Sequence, residues 1–244
     1  MFREVVIGPC RLINADMSYL RDIAGGLGHI AIVTDPPYGI GASKKSFQNP
    51  TRRGKAKCAS TDYGNSDWDS QPASAEQIAM IRSVSEWQVV FGGNYFELPP
   101  ARCWLVWDKL NGDNAYADCE LAWTNLDKPV RRIVFQWHGM LRDEKGTRIH
   151  PTQKPVGVMQ WCIEKLPLDR VDVIVDPFAG SFSTGVAAMR MGLKFIGIEK
   201  DPAMFDKAVK RISDEWVSKC SELPFEKPEP AKQLAMFGDD EPHN

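Results

Sequence analysis

The stretch VIVDPFAGSFSTG, residues 173–185, indicates the fold of this chain of 244 residues. Its apolar first part predicts a buried strand, and its Gly/Ser part predicts a turn into the helical pattern VAAMRMG at 186–192. Gly180 and Gly185 let the backbone approach a ligand closely, and the first turn of the helix has free N–H donors. The stretch therefore predicts the ligand-binding end of a strand in an α/β sheet.

Other short apolar runs alternate with helical patterns along the chain. Strands are predicted at 5–7, 11–13, 29–34, 88–93, 103–107, 131–137, 171–175 and 194–199, and helices at 75–86, 154–166, 183–191 and 202–219. This alternation favours a doubly wound, mostly parallel sheet that is covered on both faces. Ligands of such sheets bind beyond the carboxyl ends of the strands.

Composition limits the classes of protein to consider. Hydrophobic residues make up 43% of the chain and charged residues 25%, which is enough for a buried core. The net charge of -2 argues against a protein held to nucleic acid by bulk charge, although a basic patch can be offset elsewhere. Six cysteines without a C-x-x-C pair, and four histidines, disfavour a zinc module or a disulfide scaffold, so no metal site is expected. No apolar run approaches the roughly 18 residues of a membrane span, and we expect a cytoplasmic protein.

The Gly/Ser turn predicts a nucleoside ligand that needs no phosphate cradle. Val186 stands where a phosphate-binding loop requires lysine, and no G-x-G-x-x-G fingerprint is present. The next predicted strand ends at Glu199, where an acid can hold both hydroxyls of a ribose. S-adenosylmethionine fits these features. The alternative is an ordinary glycine turn beside a solvated glutamate.

A second strand end, Asp35-Pro36-Pro37-Tyr38, follows the apolar run at 29–34. The two prolines fix a stiff, extended bend that presents a carboxylate, the Pro36 carbonyl and an aromatic ring together. The two hydrogens of an exocyclic nucleobase amine can be accepted by that carboxylate and that carbonyl while the base stacks on Tyr38. The bend could also be only a proline-bounded strand end with a capping aspartate.

The two motifs together resemble those of the DNA amino-methyltransferases, which modify adenine N6 or cytosine N4. DPPY precedes DPFAGSFSTG by about 140 residues, which is similar to the permuted order of the β-group. The resemblance covers roughly residues 5–219 and includes Ala15-Asp16, FGGNYF at 91–96, WLVWDK at 104–109, ELAWT at 120–124 and His150-Pro151-Thr152-Gln153-Lys154-Pro155. It implies a permuted, seven-stranded Rossmann-like methyltransferase sheet in one catalytic domain at 1–221.

The resemblance also implies roles for individual residues. The acid matching Asp16 contacts the cofactor adenine in the family, and the residues matching Thr152 and Lys154 contact its methionine end. The catalytic residues are expected to be Asp35, Pro36, Pro37 and Tyr38. The residues expected to bind S-adenosylmethionine are Asp16, Asp35, Thr152, Lys154, Asp176, Phe178, Ala179, Gly180, Ser181, Thr184, Glu199 and Asp201.

Phe182 departs from the family pattern, which commonly reads G-S-G-T-T-G where this chain has GSFSTG. A phenylalanine is strained at this position if the backbone needs a positive φ. Without that need, its ring is free to pack over the cofactor or the sheet. Weaker cofactor binding is a possible consequence.

The resemblance implies direct methyl transfer to adenine N6 of a base flipped out of duplex DNA, with Tyr38 as the stacking platform. Asp rather than Ser before Pro36 favours adenine, and cytosine N4 is the near alternative. An RNA or protein amine substrate, or a DNA-binding relic without turnover, are further alternatives. A bacterial or phage restriction-modification enzyme is the setting that the family suggests.

Basic residues indicate where duplex DNA would bind. Between Gly39 and Thr61, within a loop at about 42–66, stand six of them without an acid, and a short recognition insert is expected at about 125–149. The residues expected to contact DNA are Lys44, Lys45, Arg52, Arg53, Lys55, Lys57, Arg142 and Arg148. A mobile solvated loop is the alternative for the segment at about 42–66. The protein is expected to be a monomer or a homodimer.

The last segment, 222–244, is rich in proline and acid and is expected to be a flexible tail. It contains Gln233-Leu234-Ala235-Met236-Phe237, which resembles the peptide by which bacterial replication proteins bind the sliding clamp. Apolar anchors on a mobile tail suit that mode of recognition. The sequence therefore predicts a possible clamp partner, with a hydrophobic segment folded back on the domain as the alternative.

Overall fold

Eleven strands and five helices form the described part of the chain. The computed structural model describes residues 2–41, 69–111, 117–138, 141–142, 149–150 and 152–222. The strands are β1 (Arg3–Ile7), β2 (Cys10–Asn14), β3 (Ile30–Thr34), β4 (Trp87–Phe91), β5 (Trp104–Asp108), β6 (Cys119–Thr124), β7 (Arg131–Val134), β8 (Trp137–His138), β9 (Leu141–Arg142), β10 (Val173–Asp176) and β11 (Phe195–Glu199). The helices are α1 (Leu20–Ala24), α2 (Ala75–Val84), α3 (Val156–Ile163), α4 (Ser183–Arg190) and α5 (Pro202–Glu222), and short 3-10 turns lie at Met17–Tyr19 and Gly93–Tyr95.

One mixed sheet organises these elements. Its nine strands follow the order β1-β2-β11-β10-β3-β4-β6-β5-β7, and β8 pairs with β9 separately. The five central strands β2, β11, β10, β3 and β4 run parallel to one another. This confirms the predicted mostly parallel α/β sheet. The expected number of seven strands is wrong for the described residues, because β1 and β7 extend the sheet by one edge strand each.

The central strands are apolar along their whole length because both of their faces are covered. Every residue of β3 and of β10 is buried, and so are four of the five residues of β11. The buried side chains form two clusters: one includes residues of α3, α4 and α5, and the other residues of α1 and α2. This doubly covered arrangement explains why continuous apolar runs, rather than alternating ones, predicted these strands.

Helix α2 shows how the sequence fixes an element boundary. The Ser74 hydroxyl accepts a hydrogen bond from the Gln77 backbone N–H, and the Gln77 side chain accepts one from the Ser74 backbone N–H. This reciprocal capping satisfies two donors that the first turn leaves free. In the described part of the chain, no helix is long and apolar enough to cross a membrane.

Several predicted segments fall outside the described residues. They are the basic loop with Lys44, Lys45, Arg52, Arg53, Lys55 and Lys57, the insert position Arg148, and the tail segment Gln233–Phe237. Arg142 lies in β9, and its side chain is also outside the described part. The predicted DNA contacts and the clamp peptide therefore stay predictions.

Phe182 has both a positive φ and a ring that packs over the sheet. Its backbone is left-handed, with φ 57°, and its ring is fully buried immediately before α4. The ring packs edge-on against Phe195 and Phe205, with centroid distances of 6.1 and 6.3 Å. A Cβ atom on Gly197 would lie 2.1 Å from the ring, so the glycine in β11 makes room for it. Phe182 therefore fixes the start of α4 against the sheet.

We expect Phe182→Ala and Phe182→Gly to separate packing from backbone strain. Phe182→Ala should lower the free energy of unfolding by about 3 kcal/mol or more, because it leaves a large buried cavity. Phe182→Gly should be more stable than Phe182→Ala by about 1 kcal/mol, since glycine adopts a positive φ without a steric penalty. Denaturant-induced unfolding measures both values. A glycine variant less stable than the alanine variant would show that backbone strain is negligible here.

Candidate active site

The order of the strands brings four predicted site segments to one edge of the sheet. β2, β11, β10 and β3 are parallel neighbours, so Asp16, Glu199, Gly180 and Asp35 follow four consecutive carboxyl ends. Three strand spacings correspond to about 14 Å. This edge therefore forms an extended row of polar groups, at the place where parallel sheets bind their ligands.

Asp176 holds the centre of this row together. Its Oδ1 accepts hydrogen bonds from Thr34 Oγ1 at 2.7 Å and from the Phe178 backbone N at 3.1 Å. Its Oδ2 accepts one from Thr184 Oγ1 at 2.7 Å. Asp176 and Thr184, both expected to bind the cofactor, thus join β10, the end of β3 and the start of α4.

The loop after β10 leaves space beside a well-placed carboxylate. Gly180 has φ 49°, and a Cβ atom there would meet only the Phe178 carbonyl oxygen, at 4.0 Å. Glu199 accepts hydrogen bonds from the Gly180 N–H at 2.8 Å and the Asp201 N–H at 2.7 Å, one on each carboxylate oxygen. Each oxygen retains lone pairs that can accept hydroxyl donors. Burial raises the pKa of Glu199 to about 7, although these backbone hydrogen bonds lower it. The open loop and the acid at the strand end fit a nucleoside cofactor.

The other predicted cofactor residues lie along the same edge. Asp16 accepts a hydrogen bond from the Ser18 backbone N at 2.9 Å and pairs with Lys200 Nζ at 2.9 Å. Asp201 accepts hydrogen bonds from the first backbone N–H groups of α5. Phe178 is partly exposed, and Ala179 and Ser181 are buried in the loop. Among the side chains that the structure describes, no group of three or more His, Cys, Asp and Glu residues is arranged to hold a metal ion.

The bend after β3 is anchored by Asp69, a residue that sequence reasoning missed. Its Oδ1 accepts hydrogen bonds from the backbone N–H groups of Tyr38 and Gly39, both at 2.9 Å. The Pro37 carbonyl accepts a hydrogen bond from the Ala73 N–H at 3.0 Å. Because Asp69 is 1% exposed, these bonds hold the bend from its buried side.

The Tyr38 ring, the predicted stacking platform, is covered by a second aromatic ring. Its hydroxyl donates to Asp35 Oδ1 at 2.5 Å, and Tyr95 stacks on the ring at a centroid distance of 4.9 Å and an interplanar angle of 13°. Gly92 lies close to the ring, with φ 65°. Tyr95, itself 49% exposed, thus forms the outer layer of a two-ring stack on Tyr38, and the role of Tyr38 as stacking platform stays a prediction.

Lys154, which is predicted to contact the methionine end of the cofactor, contacts the bend after β3. Its Nζ lies 2.5 Å from Asp35 Oδ2 and 3.0 Å from Glu120 Oε2. Ser183 Oγ, in the cofactor loop, donates a hydrogen bond to the Lys154 carbonyl at 2.7 Å. Thr152 lies nearby, with its Oγ1 3.1 Å from His150 Nδ1. Lys154 therefore connects the two motifs.

Buried charges shift several pKa values in this cluster. Burial raises the pKa of Asp35 above its ordinary value, although Lys154 opposes that change. Burial also acts to raise the pKa of Glu120, but Lys154 and Lys109 outweigh it and bring the pKa to about 2. The two carboxylates raise the pKa of Lys154 despite its burial. Lys154 is thus a buried, charged ammonium.

Glu120 and Tyr95 were also missed as site residues, although both stand in segments that carry the family resemblance. Glu120 belongs to β6, a strand that the apolar pattern did not predict because its first half is only partly buried. Tyr95 follows β4 in a 3-10 turn, where no periodic pattern indicates the direction of a side chain. The FGGNYF and ELAWT segments could have indicated them only through the resemblance.

We expect Gly92→Ala to disturb the Tyr38 ring. A Cβ atom at Gly92 would lie 2.2 Å from Tyr38 Cε1, whereas one at Gly26, which has φ 78°, would meet nothing within 4 Å. Gly26→Ala should lose about 1 kcal/mol of unfolding free energy from its backbone conformation alone. Gly92→Ala should lose about 2 kcal/mol more because of the clash. Equal losses in denaturant-induced unfolding would show that the Tyr38 ring is not confined by Gly92.

Comparison of the sequence with protein families and curated proteins gives consistent matches. Residues 106–210 match the family model N6_N4_Mtase, described as DNA methylase. The type II methyltransferase M2.LlaDCHI of Lactococcus lactis subsp. cremoris is 42% identical over 79 residues, which are 32% of this chain and 29% of that protein. The type II methyltransferase M.HinfI of Haemophilus influenzae is 36% identical over 74 residues, 30% of this chain and 20% of that protein. The matches thus span less than a third of the length of these relatives.

Solved structures of DNA methyltransferases are also similar to the chain. The M1.HpyAVI–SAM complex has a TM-score of 0.49 at 22% identity and covers 83% of this chain and 99% of its own. The cytosine-N4-specific PvuII DNA methyltransferase has a TM-score of 0.46 at 14% identity and covers 85% of this chain and 91% of its own. The family match over residues 106–210 and the curated relatives support the assignment of this chain to the N4/N6 DNA methylase family.

Proposed function

We propose that the protein transfers a methyl group from S-adenosylmethionine to adenine N6 of a base flipped out of duplex DNA. The observation that carries the proposal is the neighbouring position of β3 and β10, which sets the Asp35 carboxylate beside the loop of Gly180. A carboxylate next to a nucleoside-binding loop is the arrangement that transfer to an amine requires. The match of residues 106–210 to the DNA methylase family model supports the same reaction.

The chain contributes positioning and oriented acceptors to this reaction. Asp35 and the Pro36 carbonyl would accept the two hydrogens of the exocyclic amine, which directs the nitrogen lone pair towards the cofactor loop. Methylation makes the nitrogen strongly acidic, so its proton can pass to Asp35 or to water without a strong base. Holding the reacting groups in line supplies most of the rate enhancement.

The residues along the strand ends would hold the cofactor. Glu199 would accept the ribose hydroxyls, Asp16 would contact the adenine, and the loop around Gly180 would lie against the methionine part. Bound S-adenosylmethionine would supply a methyl group on a positively charged sulfur. Thr152 and Lys154 would hold the methionine end, and the contact of Lys154 Nζ with Asp35 Oδ2 at 2.5 Å supports a position of that end near the amine acceptors.

The target base would meet the Tyr38–Tyr95 stack. Exchange of Tyr95 for the base would place the base directly on Tyr38, whose hydroxyl is bonded to Asp35. A base in duplex DNA must leave its stack to reach this position, as the chemistry of base-modifying enzymes generally demands. Asp rather than Ser before Pro36 supports adenine as the target, and cytosine N4 is the second candidate.

The remaining parts of the proposal concern partners. The basic loop at 42–66 and the insert at 125–149 would contact the phosphates and bases of duplex DNA. A DNA substrate is consistent with action in the cytoplasm of a bacterial cell, within a restriction-modification system. The peptide Gln233–Phe237 would bind a sliding clamp. A clamp pulldown that compares the wild type with a variant lacking residues 231–244 tests this interaction separately from methyl transfer.

Labelled S-adenosylmethionine and unmethylated DNA test the main proposal. Nucleoside analysis should give labelled N6-methyladenine with the wild type and at least about 10²-fold less label with Asp35→Ala, because the amine loses its carboxylate acceptor. Asp206→Ala, which removes an exposed carboxylate of α5, is the control and should retain the wild-type rate. Calorimetric titration should show that Asp35→Ala still binds the cofactor.

Each other result of this experiment is informative. Labelled N4-methylcytosine would keep the reaction class and replace adenine as the target. Label found only in RNA or protein would overturn the proposed substrate. A wild-type protein that binds the cofactor and labels nothing would contradict methyl transfer altogether, and full activity of Asp35→Ala would remove Asp35 from the mechanism.

We expect cofactor affinity to depend on the ionisation of Glu199. Because the pKa of Glu199 is raised to about 7, the carboxylate is protonated below that pH and becomes a charged acceptor above it. Affinity should therefore rise about tenfold from pH 6 to pH 8 in the wild type. Glu199→Gln should bind weakly with a flat profile in calorimetric titrations. A wild-type affinity that does not change with pH would contradict a contact between Glu199 and the ribose hydroxyls.

A further inference from the structure

We propose that Glu120 is a positioning residue for the catalytic carboxylate, and that it acts through Lys154. The proposal rests on the function proposed for Asp35 and adds a residue outside both sequence motifs. Glu120 does not touch Asp35 itself. Instead, the Lys154 ammonium group contacts both the Glu120 carboxylate and the Asp35 carboxylate.

Four side chains of alternating charge form a continuous row that begins at the catalytic bend. Asp35 Oδ2 lies 2.5 Å from Lys154 Nζ, which lies 3.0 Å from Glu120 Oε2. Glu120 Oε1 lies 2.6 Å from Lys109 Nζ at the outer end of the row. The Lys154 side chain is 8% exposed and those of the other three are 20–22% exposed. Two cations and two anions thus balance each other in a mostly buried site.

The fold places Glu120 there for a specific reason. β6 runs antiparallel between β4 and β5, so Glu120 is paired with Trp107 of β5. The Lys109 backbone N–H donates to the Asp118 carbonyl at 2.9 Å, which brings the lysine beside Glu120. Strands β5 and β6 therefore bring Lys109 and Glu120 together, and Glu120 in turn contacts Lys154.

The contact between Glu120 and Lys154 is electrostatic in character. Glu120 Oε2 is buried and lies 3.0 Å from Lys154 Nζ, and this ion pair compensates its negative charge. Here the negative charge shares Lys154 with Asp35, so the ammonium does not neutralise the catalytic carboxylate alone.

Sharing Lys154 matters for the acceptor strength of Asp35. With Glu120 present, Asp35 is a more basic carboxylate and a stronger acceptor for the amine hydrogens of the target base. Without Glu120, Lys154 would pair with Asp35 only, and the carboxylate would be a weaker acceptor. The Lys154 side chain would also lose one of the two groups that fix its position between the Phe91 and Tyr38 rings.

Several titratable groups interact with Asp35 or Lys154, directly or through Glu120, and contribute to any pH dependence of the rate. They are Glu120 of β6, Lys109 after β5, Tyr38 of the bend, Asp176 of β10, Cys162 of α3 and His150 before α3. Glu120 raises the pKa of Asp35, and Lys154 lowers it. Removal of the Glu120 charge should therefore lower the pKa of Asp35.

Single-turnover methyl transfer by Glu120→Gln tests the proposal, with cofactor and DNA saturating. The plateau rate should fall about 10- to 100-fold, because Asp35 is a weaker and less well-positioned acceptor. The acid limb of the rate should move to lower pH at the same time. Glu120→Asp should return the acid limb towards its wild-type pH and recover part of the rate. Glu164→Gln, which removes an exposed charge at the end of α3, should match the wild type.

Cofactor binding separates this role from a general loss of structure. Calorimetric titration of Glu120→Gln should give the wild-type affinity for S-adenosylmethionine. An unchanged rate with an unchanged acid limb would overturn the proposal, and so would an acid limb that moves to higher pH. A wild-type protein without DNA methylation would instead overturn the proposed function, and the two failures are therefore distinguishable.

Discussion

The site depends on the buried Asp176 carboxylate. Its hydrogen bonds to Thr34, Thr184 and the Phe178 backbone join two adjacent strand ends to the start of α4. Burial raises the pKa of Asp176 to about 6, although these hydrogen bonds lower it, so the group is mostly charged at neutral pH. A charged group under several short hydrogen bonds resists displacement. The loop after β10 and the bend after β3 are consequently anchored to the same buried carboxylate.

Around that origin, the two motifs are linked by contacts that neither motif contains. Ser183 in the cofactor loop is bonded to the Lys154 carbonyl, and Lys154 is paired with Asp35. Arg211 of α5 donates hydrogen bonds to the Ser181 carbonyl and to Ser183. A shift of the loop would thus change the surroundings of the Asp35 carboxylate. The candidate site is one connected polar network rather than two separate motifs.

Sequence patterns predicted the elements of the fold well where burial is uniform. β3, β10 and β11 are apolar throughout because both faces are covered, and such runs are visible in the sequence. β6 was missed, since its partly buried start carries a charge. The pairing of Lys154 with Asp35 spans 119 residues, and no local pattern encodes a contact at that separation. Phe182 shows the same limit, because only the packing against Gly197 explains how a left-handed phenylalanine is tolerated.

The position of β10 between β3 and β11 has a consequence for synthesis of the chain. Ile30 of β3 pairs with Val173 of β10, which is synthesised about 140 residues later. Strands β2 and β11, which also pair, are separated by even more residues. At about 5–20 residues per second, one edge of β3 stays unpaired for roughly 7–30 s. An unpaired apolar strand is a template for association with other chains. The order of the strands along the chain thus leaves apolar β3 of the nascent N-terminal half without one of its partners during this interval.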